Sequence, residues 1–109
     1  MSNEHIMSLT IEAIRTGQTL KFTYSDKPRV IEVHAVGLTS KSALAIRGYQ
    51  VVGDREGWAL FSADKIIDPE LSLLPISHAP RPGYVLNDSQ LPTIYGQVPR
   101  LLQQEVAHV

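Results

Sequence analysis

Arg47 and Tyr49 stand two residues apart in Ala43-Leu44-Ala45-Ile46-Arg47-Gly48-Tyr49-Gln50, the run with the clearest strand character in the chain. Strand side chains alternate, so Leu44 and Ile46 point to one face while Ala43, Ala45, Arg47 and Tyr49 share the other. The two alanines leave a shallow floor beneath a guanidinium and a phenol ring. A guanidinium offers phosphate a planar fork, and a ring face stacks on a base or sugar, so this face suits an anionic or planar ligand. The same residues also read as a solvated sheet face, with Arg47 paired to Glu32 across a hairpin and Tyr49 covering the alanines.

Four more residues join these two as candidates. Arg29, after Pro28 at a strand start, is either a phosphate contact or a solvated turn residue. His34 lies inside a predicted strand, either as a hydrogen-bonding neighbour of Arg47 that titrates near its ordinary pKa of about 6.5 or as a surface histidine. In Ala79-Pro80-Arg81-Pro82-Gly83-Tyr84, two prolines stiffen the chain around Arg81, and Gly83 permits a sharp turn that lays Tyr84 on the sheet. That segment is a structural clamp, a flap over the Arg47 face, or a bridge to another subunit. His5, His78 and His108 have no ligand spacing, and with no cysteine present the sequence offers neither a metal site nor a cofactor motif. No nucleophile with an adjacent base, paired carboxylates on one strand or phosphate-cradling glycine loop appears, so the expectation is a protein that is not an enzyme.

The elements that must position these residues follow from periodicity. Ile6, Leu9 and Ala13, with Met7, Ile11 and Ile14, recur at three- and four-residue steps and predict one amphipathic helix ending near Thr16, with Gly17 as its stop. The period then falls to two. Residues 19–24 predict a first strand, Ser25-Asp26-Lys27-Pro28 a turn, and Arg29 to about Leu38 a second strand. A two-residue loop at Ser40-Lys41 would set Thr39 against Ser42, His34 against Arg47 and Glu32 against Tyr49. Trp58–Ser62 predicts a fourth strand, with Trp58 and Phe61 as packing residues, and Asp64-Lys65-Ile66 a tight corner. Residues 71–74 predict a fifth, with Pro69 at its start or edge. Short antiparallel strands in so small a chain favour a closed or half-closed five-stranded barrel with the helix on its end. The expected organisation is therefore mainly β: helix and barrel over 1–75, then an extended proline-spaced arm over 76–109 that ends in a short helix around Leu101, Leu102, Val106 and Val109.

Bulk properties narrow the function classes. A chain of 109 residues should form one domain. It has no apolar run long enough to span a bilayer, no signal-peptide pattern at its start and no cysteine, so it is expected in the cytoplasm, away from membranes. The net charge of −1 gives no support to strong sequence-independent nucleic-acid binding. Charge is unevenly spread, however. Between Lys21 and Val51, Lys21, Lys27, Arg29, Lys41 and Arg47 stand against Asp26 and Glu32, whereas the stretch from Asp54 to Glu70 is acidic.

In order and spacing, Ile11-Glu12-Ala13-Ile14, Leu20-Lys21-Phe22-Thr23-Tyr24, Arg29, Gly37, Arg47-Gly48-Tyr49 and Phe61-Ser62-Ala63-Asp64-Lys65-Ile66 resemble the WYL domain family. Those domains are small Sm- or SH3-type barrels preceded by a helix, common in bacterial and phage regulators. The resemblance covers about residues 9–75. It implies a sensing module that binds a nucleotide or a nucleic-acid end through basic and aromatic side chains, here Arg29, Arg47 and Tyr49. The sequence departs from the family at Leu44-Ala45-Ile46, where the namesake residues fall, at Val33 in place of a proline and at Ala59 in place of an arginine. Only a single helix fits before Leu20, so the helix-turn-helix of the family's transcription factors has no counterpart there. The other expectation is a structural or protein-interaction domain that uses its arm to form a homo-oligomer or to join a larger bacterial or phage complex.

Overall fold

In the computed structural model, which describes residues 3–75 and 81–98 with side chains placed outside 73–75, a single helix, α1, spans Asn3–Thr16. Its buried residues Ile6, Thr10 and Ala13 form one stripe against the sheet. Thr10 sits in that stripe because its Oγ1 donates to the Ile6 carbonyl at 2.6 Å, which satisfies the hydroxyl inside the helix. Ile11, expected on the buried side, is instead exposed. Gly17 closes the helix at φ +73°, its N–H donating to the Ala13 carbonyl at 3.0 Å. No neighbouring atom would touch a Cβ there, so backbone strain alone opposes substitution. Gly17→Ala should lower stability by about 1 kcal/mol, read as a fall in urea midpoint at constant m.

Strands β1 (Gln18–Tyr24) and β2 (Lys27–Leu38) are joined by Ser25-Asp26, both at positive φ, the two-residue turn whose twist matches that of the strands. β2 thus begins before Arg29 and takes Pro28 into the ladder opposite Thr23. β3 (Leu44–Val52) and β4 (Gly57–Ser62) follow, then one helical turn at Ala63–Lys65 and β5 (Ile67–Pro75). β5 starts earlier than the apolar run at 71–74 implied, and it tolerates Pro69 because it lies at the end of the sheet.

A sixth strand, β6 (Thr93–Gln97), lies in the segment read from sequence as an extended arm. The strand order is β4-β3-β2-β1-β5, with β6 added to β2, all antiparallel. The end strands β4 and β5 do not pair, so the sheet is six-stranded and not closed, in place of the expected five-stranded barrel. The reason lies in β2. One of its edges follows β3; on the other, β1 pairs with Lys27–Ile31 and β6 with Ala35–Leu38. The edge that β1 leaves over is filled by β6, not by curling the sheet shut. The short helix expected around residues 101–109 lies outside the described residues.

The two sides of the sheet bury different things. Under α1, Leu20, Phe22, Ile31, Val33, Val36, Ile46 and Phe61 form the main core. On the opposite face Ala35, Ala45 and Leu91 form a smaller one, packed by Leu60 and Ile94. The face that carries Arg47 is therefore covered by the chain after Arg81.

Candidate ligand-binding face

The turn after β2 has three residues, Ser40-Lys41-Ser42. The Thr39 N–H donates to the Ala43 carbonyl and the Ser42 N–H to the Thr39 carbonyl, both at 2.9 Å, with Ser42 at φ +59°. This extra residue moves the ladder by one, so Ala35, not His34, faces Arg47. The ladder shifts back between Ala35 and Val33, which restores the expected pairing of Glu32 with Tyr49. His34 is the residue inserted at that bulge. Val33 and Val36 stay in the main core, while His34 and Ala35 both turn to the Arg47 side.

Arg47 pairs with neither Glu32 nor His34. Its Nε donates to Asp88 Oδ2 at 2.7 Å and its Nη2 donates to Gln90 Oε1. Asp88 is held in turn by a tight loop: its Oδ1 accepts from the Gln90 N–H, and its carbonyl accepts from the Leu91 N–H, both at 2.9 Å. Burial would raise the Asp88 carboxyl, but the hydrogen bonds from Arg47 and from the Gln90 N–H outweigh it and hold the group below the ordinary carboxylate range. The Gln97 side chain fixes the loop to β6, its Oε1 accepting from the Asn87 backbone N–H and its Nε2 donating to Asn87 Oδ1, both at 3.1 Å.

Arg81 takes the partner that one of the two sequence readings gave to Arg47. Its Nε donates to Glu32 Oε1 at 2.9 Å, and its guanidinium lies 4.2 Å from the centre of the Tyr49 ring. The Arg81 backbone N–H donates to His34 Nε2 at 3.0 Å. Gly83, at φ +93°, turns the chain against Trp58, whose Nε1 donates to the Pro82 carbonyl at 3.3 Å. Tyr84 is thereby laid on the sheet beside Trp58 and His34, with its hydroxyl donating to the Val98 carbonyl at 2.7 Å.

Arg29 and His34 correct the sequence reading of exposed residues. Arg29 is buried at the far end of β2, where it donates to Gln50 Oε1 and Asp54 Oδ1 at 2.9 Å and to the Tyr24 carbonyl. It is separate from the Arg47 cluster. His34 is wholly buried, its ring edge-on to Trp58 and tilted against Tyr84. Burial, opposed by a hydrogen bond to the Glu32 carbonyl and by the Glu32 charge, holds its pKa below the ordinary value. Every buried side-chain N and O among the described residues has a hydrogen-bond partner, which is what makes burial of Glu32, His34 and Arg29 tolerable.

Together these contacts wall a half-open cavity of about 370 Å³, lined chiefly by Arg47, Trp58, Tyr84, Val85, Asp88 and Gln90. The Trp58 and Tyr84 rings are inclined by only 22° with centres 6.3 Å apart, and these two stacked rings border the same space as the Arg47 guanidinium. Sequence reasoning missed Asp88, Gln90 and Trp58 as members of this face. A signal for Asp88 was there: it is the sole acid between Glu70 and Glu105. Among the described residues no group of three His, Asp or Glu converges to hold a metal, and no helix is long and apolar enough to cross a membrane. No family model, curated protein or solved structure matches this chain.

Proposed function

We propose that this protein is a non-catalytic binding module that holds a planar anionic ligand, a nucleotide or a single-stranded nucleic-acid end, in the cavity beside Arg47. The observation that carries this reading is the Arg47–Asp88 ion pair in the wall of a cavity bordered by Trp58 and Tyr84. A guanidinium already holding a carboxylate in a fixed geometry is preorganised for an anionic group, and two ring faces accept a base. Asp88 then stands where a ligand phosphate or carboxylate would bind. The resemblance to WYL domains points the same way, resting on the residues quoted for it, and a cytoplasmic location, argued from the lack of cysteine, belongs to the same proposal.

The experiment is a thermal-shift titration with nucleoside mono- and triphosphates and short single-stranded oligonucleotides. Wild type should gain stability with ligand as mass action requires, and Arg47→Ala should lose that gain. Asp88→Asn, which removes the competing charge, should bind about tenfold more tightly, a difference of about 1.4 kcal/mol. Identical responses from wild type and Arg47→Ala would sink the assignment.

A second reading rests on a different observation: Leu91, 1% exposed, seals Ala35 and Ala45 beneath the arm. In that reading the arm is a built-in brace, and the protein is a structural or interaction domain of an oligomer or larger complex. No response to any anion, together with a mass above the 12.1 kDa monomer by light scattering, would favour it.

A further inference from the structure

We propose that His34 is a proton-operated latch, and that adding a proton to its imidazole releases segment 81–91 from the sheet and opens the Arg47 face. The two ring nitrogens have partners of opposite kind. Nδ1 lies 2.8 Å from the Glu32 carbonyl oxygen, which can only accept, and Nε2 lies 3.0 Å from the Arg81 backbone N–H, which can only donate. Only the neutral ring with its proton on Nδ1 satisfies both. A second proton must go to Nε2, where it meets the Arg81 N–H, donor against donor. The arm then loses the hydrogen bond that ties its first described residue to the bulge.

The surroundings favour release over accommodation. The ring is 0% exposed, so the imidazolium has no access to water while the arm is docked. Of the charged groups facing it, the Glu32 carboxylate comes from β2 and is engaged by Arg81 Nε, while the Arg81 guanidinium from the arm adds like charge. Tyr84 contributes a phenol and Trp58, from β4, an uncharged ring. From beyond β6, Val98 brings only a backbone N–H, donating to the His34 carbonyl at 2.8 Å. Release solvates the imidazole and returns it to its ordinary pKa of about 6.5. The docked form, with its lower value, is therefore at full strength above about pH 6.5 and weakens as pH falls from there to the docked-state value. Release itself is independent of what binds the cavity; only its effect on ligand affinity rests on the function proposed above.

The test follows amide exchange at Arg81 and Tyr84, with emission of Trp58, the sole tryptophan, on the full chain from pH 8 to pH 5. After correction for intrinsic exchange, protection of both amides should fall by up to about tenfold per pH unit as pH drops below about 6.5 and level off below the docked pKa, and Trp58 emission should shift to the red with it. His34→Gln, which retains a non-titrating acceptor, should remove the pH dependence. Protection that stays constant in wild type, or the same transition in His34→Gln, overturns the latch. Should His34→Gln fail to fold, wild-type ring-nitrogen resonances decide: Nε2 protonation and loss of amide protection must share a midpoint, and separate midpoints overturn it. If the amides respond but no nucleotide or oligonucleotide binds at any pH, the latch stands and the ligand assignment fails.

Discussion

Arg81→Leu is expected to cost about 3 kcal/mol of stability at pH 7, and adding Glu32→Leu is expected to recover most of that loss. The Glu32 side chain is 2% exposed and Arg81 18%, with 2.9 Å between Nε and Oε1. Removing the guanidinium leaves a carboxylate in the protein interior without its cation, a far worse state than having neither charge. Leucine keeps an apolar stem against Tyr49, so the single variant reports chiefly the stranded charge, with a smaller part from the lost cation–π contact. Arg81 retains some access to water, which places the expected cost at the low end for buried pairs. Urea unfolding of the wild type, both single variants and the double variant closes the cycle. A loss below about 1 kcal/mol in Arg81→Leu, or a double variant no better than it, would show that the arm is held mainly by Leu91 and Tyr84 instead.

Gly37→Ala should unseat β6, at a cost of about 3 kcal/mol. A Cβ on Gly37 would collide with the carbonyl oxygen of Thr93 and come within 3.0 Å of the Ile94 Cα. Both are backbone atoms of the strand that pairs there, so no side-chain rotation relieves the clash. Relief requires β6 to move, and with β6 go Ile94 from the smaller core and the Gln97 contacts that fix Asn87. Hydrogen exchange should show residues 93–97 losing protection while the β1–β2 and β3–β4 ladders keep theirs. Uniform loss across the sheet, or none, would contradict this arrangement.

What the sequence made legible follows from where local rules act alone. The helix with its Gly17 stop, the Ser25-Asp26 turn and the alternation that separates Leu44 and Ile46 from Ala45, Arg47 and Tyr49 are decided by neighbours in the chain. Long-range pairing is not written that way. Glu32 had two arginines within reach, and hairpin proximity pointed to Arg47, yet the structure gives it Arg81 and gives Arg47 to Asp88. The register of His34 depended on a loop one residue longer than expected and a bulge that undoes the shift just beyond the Ala35–Arg47 pair, two irregularities that cancel at Glu32 but not at His34. β6 escaped notice because it is five residues long, follows Pro92 and carries Gly96 as its fourth residue, turn signals that masked the three strand formers Thr93, Ile94 and Tyr95.

The sharing of β2 between β1 and β6 sets an order of assembly. β1 meets Lys27–Ile31 through a turn of two residues, whereas β6 must bring residues near position 95 back to residues near position 36. Loop closure makes the first pairing fast and the second late. Until β6 arrives, Ala35–Leu38 present one edge of unsatisfied backbone donors and acceptors, and Ala35 and Ala45 lie open beside it. The same strand therefore anchors, through Gln97 and Asn87, the loop that holds Asp88 to Arg47 and ends the period during folding when another chain could pair there.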